Sequence, residues 1–421
     1  MKEKIRKGIK RIRSSKDATV LLSNFGYLTL LQVASYIFPL ITIPYLARVI
    51  GVDSFGKIAF ASAIIMWFQT IADWGFNYTA TRDVAKNRED KEKISEIFSD
   101  VLWGRCLLMA ISFLILLASL FLIPKFSENR TVILITFLII PGQIMFPDWF
   151  FQAMERMKYI TILNVLSKLI FTVAVFIFIK EKSDYILQPL FTSLGYIVSG
   201  VIAMYLILCK WNVKLKKPTF SGALKAIKNS TDVFINNIMP NFYNSFTIVL
   251  LGVFGGSVSN GLLDAGNKLV TIFQKFMIMI SRTFFPFLTR RIEKHDIYVK
   301  INIYLSLAFS FFLFLLAPLL VKLFFTPEFG NAVSVLRIMS ISLVFLALSN
   351  IYGTNFMIIL GHERKLRNVT FISSILGFLL SFPLVYYFDY IGAALTITLT
   401  RAILGISVMK TGRKIKSESG Y

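Results

Sequence analysis

Apolar residues run along this chain in long blocks, and short basic stretches separate them. A membrane-spanning helix needs about 20 mostly apolar residues. Blocks of that size fall at roughly 22–46, 58–80, 101–123, 131–152, 159–179, 186–209, 231–254, 262–285, 301–321, 332–357, 369–387 and 392–409. The pattern predicts an all-α polytopic membrane protein with about twelve transmembrane helices. Six blocks precede the basic segment 210–230 and six follow it. The chain also repeats a glycine pair at an offset of 205 residues: GVDSFG at 51–56 follows the first block, and GSVSNG at 256–261 follows the seventh. Two six-helix bundles are expected, related by an axis along the membrane normal, with a cavity between them. They would occupy residues 19–209 and 231–410, joined by the linker 210–230 and flanked by tails at 1–18 and 411–421.

Composition agrees with a membrane solvent: 56% of the 421 residues are hydrophobic, 16% are charged, and the mean hydropathy is +0.67. The net charge of +23 is spread unevenly. With the N-terminus in the cytoplasm, 32 of the 46 Lys and Arg fall in the tails and cytoplasmic loops, against seven on the opposite side. Retention of basic residues in cytoplasmic loops places both termini there. Because the surplus is distributed over every such loop, and no single basic stripe is interleaved with aromatics, a nucleic-acid partner is excluded. The opening MKEKIRKGIKRIRSSKD precedes a block of full spanning length and lacks a small-residue cleavage site, so it reads as an anchor. Its Ile5, Ile9 and Ile12 have helical spacing, which suits either a tail lying on the anionic inner leaflet or a plain orientation signal. Cys106 and Cys209 lie within blocks, and His295 and His362 stand alone in separate loops, so no metal, disulfide or cofactor is called for.

The chemistry sits inside the blocks. GLLDAGNKLVTIFQKFMIMISRTFF, residues 261–285, carries Asp264, Lys268, Lys275 and Arg282. At 100° per residue all four lie within about 40° of one another, opposite Leu269, Phe273, Phe276, Ile280 and Phe284. The 18 positions from Asp264 to Arg282 span about 27 Å, nearly the thickness of the hydrocarbon. A lysine at the bilayer centre costs about 2.5–3.5 kcal/mol on the insertion scale, so Lys275 should face a bundle interior or water. Arg282 is near enough to one end to snorkel, and Asp264 and Lys268 can neutralise each other at i, i+4. Neighbouring blocks carry polar stripes of their own: Asn237, Asn241 and Asn244 in the seventh, and Ser62, Gln69, Asp73 and Asn77 in the second. Interhelical hydrogen-bond glue is the alternative reading of these. Within the blocks seven cations face three acids, a balance that favours an anionic ligand.

Four stretches, IPYLARVIGVDSFGKIAFASAI, DWGFNYTATRDVAKN, PDWFFQAMERMKYIT and SRTFFPFLTR, together with the twelve-block layout, resemble the Wzx-type O-antigen flippases. These form the oligosaccharide-flippase branch of the MOP superfamily, which also holds the MATE exporters. The likeness covers essentially the whole chain, and Arg48, Asp73, Gly75, Arg82, Asp148 and Trp149 are its family-like positions. It implies a MATE-like fold in the bacterial inner membrane and movement of undecaprenyl-pyrophosphate-linked oligosaccharide to the periplasmic leaflet. It also implies, as pathway partners, a polysaccharide polymerase and a chain-length regulator. On this reading Lys268, Lys275, Arg282, Asn237, Asn241, Asn244, Arg48 and Gln69 bind substrate, and Asp73 and Asp264 are candidates for ion coupling. A MATE-like cation antiporter shares the architecture but needs an acidic site. A glycosyl transferase or polymerase would need room for catalytic groups, and the longest external loop expected, Ala47–Lys57, has 11 residues.

Overall fold

A computed structural model describes residues 16–419, which are helical with no strand among them. The tail isoleucines at 5, 9 and 12 lie outside the described residues. Fifteen α-helices follow in chain order: α1 (Lys16–Asp73), α2 (Phe76–Lys86), α3 (Lys91–Leu122), α4 (Pro124–Glu128), α5 (Arg130–Phe137), α6 (Ile139–Met145), α7 (Asp148–Ala153), α8 (Met157–Phe178), α9 (Leu187–Tyr205), α10 (Phe220–Ile238), α11 (Ser245–Phe254), α12 (Gly256–Arg290), α13 (His295–Phe324), α14 (Ala332–Leu348) and α15 (Glu363–Ser419).

Eight stretches are long and apolar enough to cross a membrane, and two of them have double length: Gly26–Lys86 with 61 residues and Glu363–Glu418 with 56. A straight helix of 58 residues, as α1 would be, reaches about 87 Å, nearly three hydrocarbon thicknesses. Each long helix is therefore broken near its middle. In α1 the break is Gly51 (φ 70°, ψ 176°), a conformation essentially reserved for glycine. In α15 it is Asp389 (φ 50°, ψ −132°). The expected loop Ala47–Lys57 is thus no loop: helix runs up to and away from a one-residue bend.

The expected blocks at 131–152 and 231–254 are not single helices either. The first divides into α5, α6 and α7, the last beginning after Pro147. The second divides at a 3-10 turn, Met239–Phe242, where Pro240 offers no N–H to the helical ladder. The block at 262–285 lies within the 35-residue α12, and its charged stripe keeps it outside the eight most apolar stretches. Helix α10 starts at Phe220, inside the basic segment, while residues 213–217 have no regular secondary structure and run along α3. Ser95 and Ser99 of α3, one turn apart, accept hydrogen bonds from the backbone N–H groups of Lys214 (3.0 Å) and Lys216 (2.9 Å). The Trp103 indole donates to the Lys216 carbonyl at 3.1 Å.

Buried apolar side chains form three clusters whose membership outlines the architecture. The largest joins both halves, with Phe55, Phe60 and Ile64 of α1 meeting Leu262, Leu263 and Val270 of α12 and Val335 and Leu336 of α14. A second contains buried residues of the first half alone, around Phe98, Trp149, Phe150 and Phe151. The third belongs to the second half alone, around Tyr298, Ile351, Tyr352 and Phe356. The halves therefore share a core at one end, called here the crossing end, and keep separate cores at the other, the basic end, where the Lys- and Arg-rich segments lie.

The repeated glycine pairs produce this junction. A Cβ placed on Gly56 would lie 1.7 Å from the Ser257 carbonyl oxygen, and one on Gly261 would lie 2.2 Å from the Val52 carbonyl oxygen. The two motifs cross backbone to backbone, each final glycine against the opposite motif. Any side chain there forces the helices apart, and overpacking of this kind costs about 1–3 kcal/mol. Gly56→Ala and Gly261→Ala are each expected to lower the melting temperature of purified protein clearly. Gly26→Ala, where nothing lies within 4 Å of the added carbon, is the control and should melt as the parent does; equal melting of all three would remove the crossing as a stability determinant.

Candidate functional site

Polar contacts between the halves surround the glycine crossing. The Ser257 hydroxyl donates to the Asp53 carboxylate, which also pairs with Lys57 at 2.7 Å. Glu328 accepts from the Val52 N–H at 3.3 Å and faces Lys182 at 3.5 Å. Arg48 donates to the Leu323 carbonyl at 3.4 Å. Phe55 packs edge-on against Phe325 and Phe329. This end is closed by contacts from both halves, and Arg48 is one of its ties. The first two charges of the face predicted on α12 are used here too: Lys268 pairs with Asp264 on the same helix and its ammonium stands 4.2 Å from the centre of the Phe55 ring.

Beyond Lys268 the character of α12 changes. Lys275 and Arg282 are exposed, and neither has an acidic partner among the described residues. Near Lys275, on α8, is a lysine that sequence reasoning counted only as an intramembrane cation. Lys168 donates to the Ser35 hydroxyl of α1 at 2.9 Å and lies near enough to Lys275 for the two charges to interact. One lysine comes from each half. Nothing in the sequence links residues 107 positions apart on different blocks; the available signal was one cation in an otherwise apolar stretch.

The remaining predicted residues disperse. Gln69 is half-buried on α1 and Asn237 is exposed on α10. Asn241 bridges the halves by donating to the Thr70 hydroxyl at 2.9 Å. Asn244 accepts from Arg401 at 3.5 Å, and that guanidinium also donates to Ser342 at 3.0 Å. Asp73 is engaged within the first half by Arg105, whose side chain is only 5% exposed. Asp148 accepts from the Trp149 N–H at 2.8 Å and lies near enough to Arg105 and Asp73 for their charges to act on it. Gly75 adopts φ 80° where a Cβ would meet Val233 at 2.7 Å, so α10 approaches the backbone of the first half. Arg82 lies at the surface beside Asp83. Both proposed ion carriers, Asp73 and Asp264, thus have a basic partner.

Residues 21–292, more than half of the chain, match the family of polysaccharide biosynthesis proteins. The chain belongs to this family. Its curated relatives include two proteins each described as a "Putative O-antigen transporter". The one from Escherichia coli strain K12 is 29% identical over 392 residues, which cover 91% of this chain and 94% of that protein. The one from Shigella dysenteriae is 26% identical over 395 residues, covering 92% and 98%. Among solved structures the fold resembles the lipid II flippase MurJ in an inward closed conformation, with a TM-score of 0.71 and 14% identity over 91% of this chain and 87% of that one. It also resembles an inward-facing multidrug resistance MATE transporter of the MOP superfamily, with a TM-score of 0.68 and 17% identity over 93% and 94%. The family member described here therefore has the MOP transporter fold.

The Asp73–Arg105 pair generates a prediction. Removing one partner of a buried ion pair leaves an uncompensated charge and costs about 3–5 kcal/mol, whereas replacing both by apolar groups is often neutral. Asp73→Leu is expected to reduce the yield of monodisperse protein sharply, and Asp73→Leu combined with Arg105→Leu to recover much of it, read by size-exclusion profile and melting temperature. A double variant as poor as the single one would contradict the pairing.

Proposed function

We propose that this protein is a flippase that carries an undecaprenyl-pyrophosphate-linked oligosaccharide, an O-antigen or related repeat unit, from the cytoplasmic to the periplasmic leaflet of the bacterial inner membrane. The observation that carries this reading is the pair Lys168 and Lys275, one from each half, whose charges lie near enough to interact and neither of which has an acidic partner among the described residues. A pyrophosphate diester brings about two negative charges, and charge-assisted hydrogen bonds from two ammonium groups complement it. Arg282 lies about 10 Å further along α12, a distance that suits handing the headgroup along the stripe. Asn237 and Gln69 remain available for sugar hydroxyls. The polyprenyl tail stays in lipid while the headgroup moves.

The basic end is read as cytoplasmic, following the charge asymmetry of the loops. On that orientation the cavity opens inward and the glycine crossing closes the outer end. Alternating access then consists of parting Gly56 from Gly261, with Asp53–Ser257, Glu328–Val52 and Arg48–Leu323 broken, while the separate cores at the basic end come together. An interior potential of roughly −100 mV favours outward transfer of two negative charges by about 4.6 kcal/mol. If an ion also couples, Asp73 is better placed than Asp264, because Arg105 is shared between Asp73 and the nearby Asp148 whereas Lys268 serves Asp264 alone. A MATE-like cation antiporter is disfavoured because an unpaired lysine pair repels a cation. The relatives named as transporters support transport over polymer synthesis.

Two experiments test this reading. In proteoliposomes with a defined lipid-linked repeat unit, Lys275→Ala and Lys168→Ala are each expected to cut transbilayer movement at least tenfold per folded protein, with Lys275→Arg partly active because charge survives. Phe273→Ala, on the far face of α12, should change packing and leave movement largely intact; full activity in both lysine variants would sink the proposal. Separately, cysteines at Lys86, Lys216 and Arg364 should be shielded from an impermeant thiol reagent added outside, and those at Ser127, Asp184 and Ser257 should react. The inverted pattern at two or more sites would reverse the export direction.

A further inference from the structure

Two cavities lie at the basic end, away from the lysine pair, and they differ in kind. The larger, about 620 Å³, lies between α2, α3 and the start of α10 and mixes Asp83, Glu96 and Asp100 with four lysines. Its charges compensate one another. The smaller, about 240 Å³, is lined by Arg88, Lys91, Lys210 and Asn212 over an apolar floor that includes Phe150, Met154 and Trp211, with no acid in its wall. Its three cations come from three separate places in the chain: the turn after α2, the first residue of α3, and the end of the π-helical turn that follows α9.

Like charges brought together by the fold repel unless an anion neutralises them. One donor in this cavity also lacks an acceptor. Arg88 gives one Nη to Glu155 at 2.8 Å, while its Nε is buried without a partner. Lys91 makes no ion pair among the described residues, and Lys210 is oriented by the Tyr159 ring at 6.0 Å. The floor is apolar and aromatic, and the cavity is smaller than the 300 Å³ or more usual for drug-sized ligands. A compact phosphate group with a greasy neighbour fits these features.

We propose that this cavity binds the phosphodiester headgroup of an anionic membrane lipid at the basic end, with phosphate oxygens on Arg88, Lys91 and Lys210 and the first acyl carbons against Trp211 and Met154. The site is separate from the lysine pair and does not depend on what the central cavity carries. It anchors the end of the first half, where segment 213–217 leaves for α10, to the membrane surface. Free phosphate shares the oxygen chemistry but leaves the apolar floor unfilled.

The test uses the full chain, delipidated in detergent and titrated with phosphatidylglycerol, phosphatidylcholine or inorganic phosphate, with bound species counted by native mass spectrometry. Phosphatidylglycerol is expected to bind at one retained site, phosphatidylcholine clearly more weakly, and inorganic phosphate not to compete at equal concentration. Each basic residue near a membrane surface contributes roughly fivefold to anionic lipid binding, so Lys91→Gln and Lys210→Gln should each weaken the retained site about that much. Neither side chain holds the fold through an ion pair, so the variants should melt as the parent does. Lys217→Gln and Lys225→Gln, in the larger mixed-charge cavity, should leave binding unchanged. Unaltered binding in the Lys91→Gln, Lys210→Gln double variant, or equal retention of phosphatidylcholine, would overturn the site; competition by inorganic phosphate would overturn its assignment to lipid.

Discussion

The structure depends on one close approach, the backbone crossing of α1 and α12 at Gly56 and Gly261. Two helices come this near only where side chains are absent from both faces, as at small-residue interfaces in membranes generally. Because the approach lies at one end, the polar ties that follow it, Asp53 to Ser257, Glu328 to Val52 and Arg48 to Leu323, all gather there. So does the one apolar core shared by both halves. Away from it each half has to close its own core, and the space left between them can stay wet.

Charges inside a membrane protein persist where they find partners or water. Their fates differ with the partner that the fold provides. Asp264 and Lys268 neutralise each other near the crossing, Asp73 is held by Arg105 inside the first half, and Arg401 donates to the neutral Ser342 and Asn244 inside the second. Lys168 and Lys275, from opposite halves, make no ion pair among the described residues, and their charges lie near enough to interact. Leaving two cations unpaired there costs stability, and on the function proposed above an anionic cargo would restore it when bound. That difference between empty and loaded states is how a ligand can bias the arrangement of the two halves.

The segment joining the halves divides its allegiance. Its non-helical part is fixed to α3 through Ser95, Ser99 and Trp103. Helix α10 continues along the first half, where Thr79 and Ser230 share a hydrogen bond at 2.6 Å and Trp74 stacks on Phe234. Past Pro240, α11 packs with the second half, where Phe246 meets Phe378. The passage from one half to the other therefore occurs at a proline turn inside the membrane helix. The basic stretch 210–230, which composition marks as a linker, is anchored along much of its length.

How much was legible in the sequence follows from the range of the forces involved. The helical class, the membrane solvent and the amphipathic stripe of α12 are set by residues within a few turns of one another, so a local reading reaches them. The two glycine motifs were visible as a repeat, yet that they touch was not, because contact between residues 205 apart is decided by packing. The bend at Gly51 looks like an eleven-residue loop in sequence because polar residues at 47–57 resemble surface, whereas Asp53 pairs with Lys57 on its own helix and accepts from Ser257 across the crossing. Lys275 stands out in the sequence because no acid lies three or four residues from it. Lys168 does not, since its meaning lies in its nearness to Lys275, and Arg48, Asn241 and Asn244 were drawn to partners on other helices for the same reason. Local chemistry by itself determined which residues would be costly to bury; only the tertiary structure, by bringing counter-charges to some and withholding them from others, decided which cations stay unpaired.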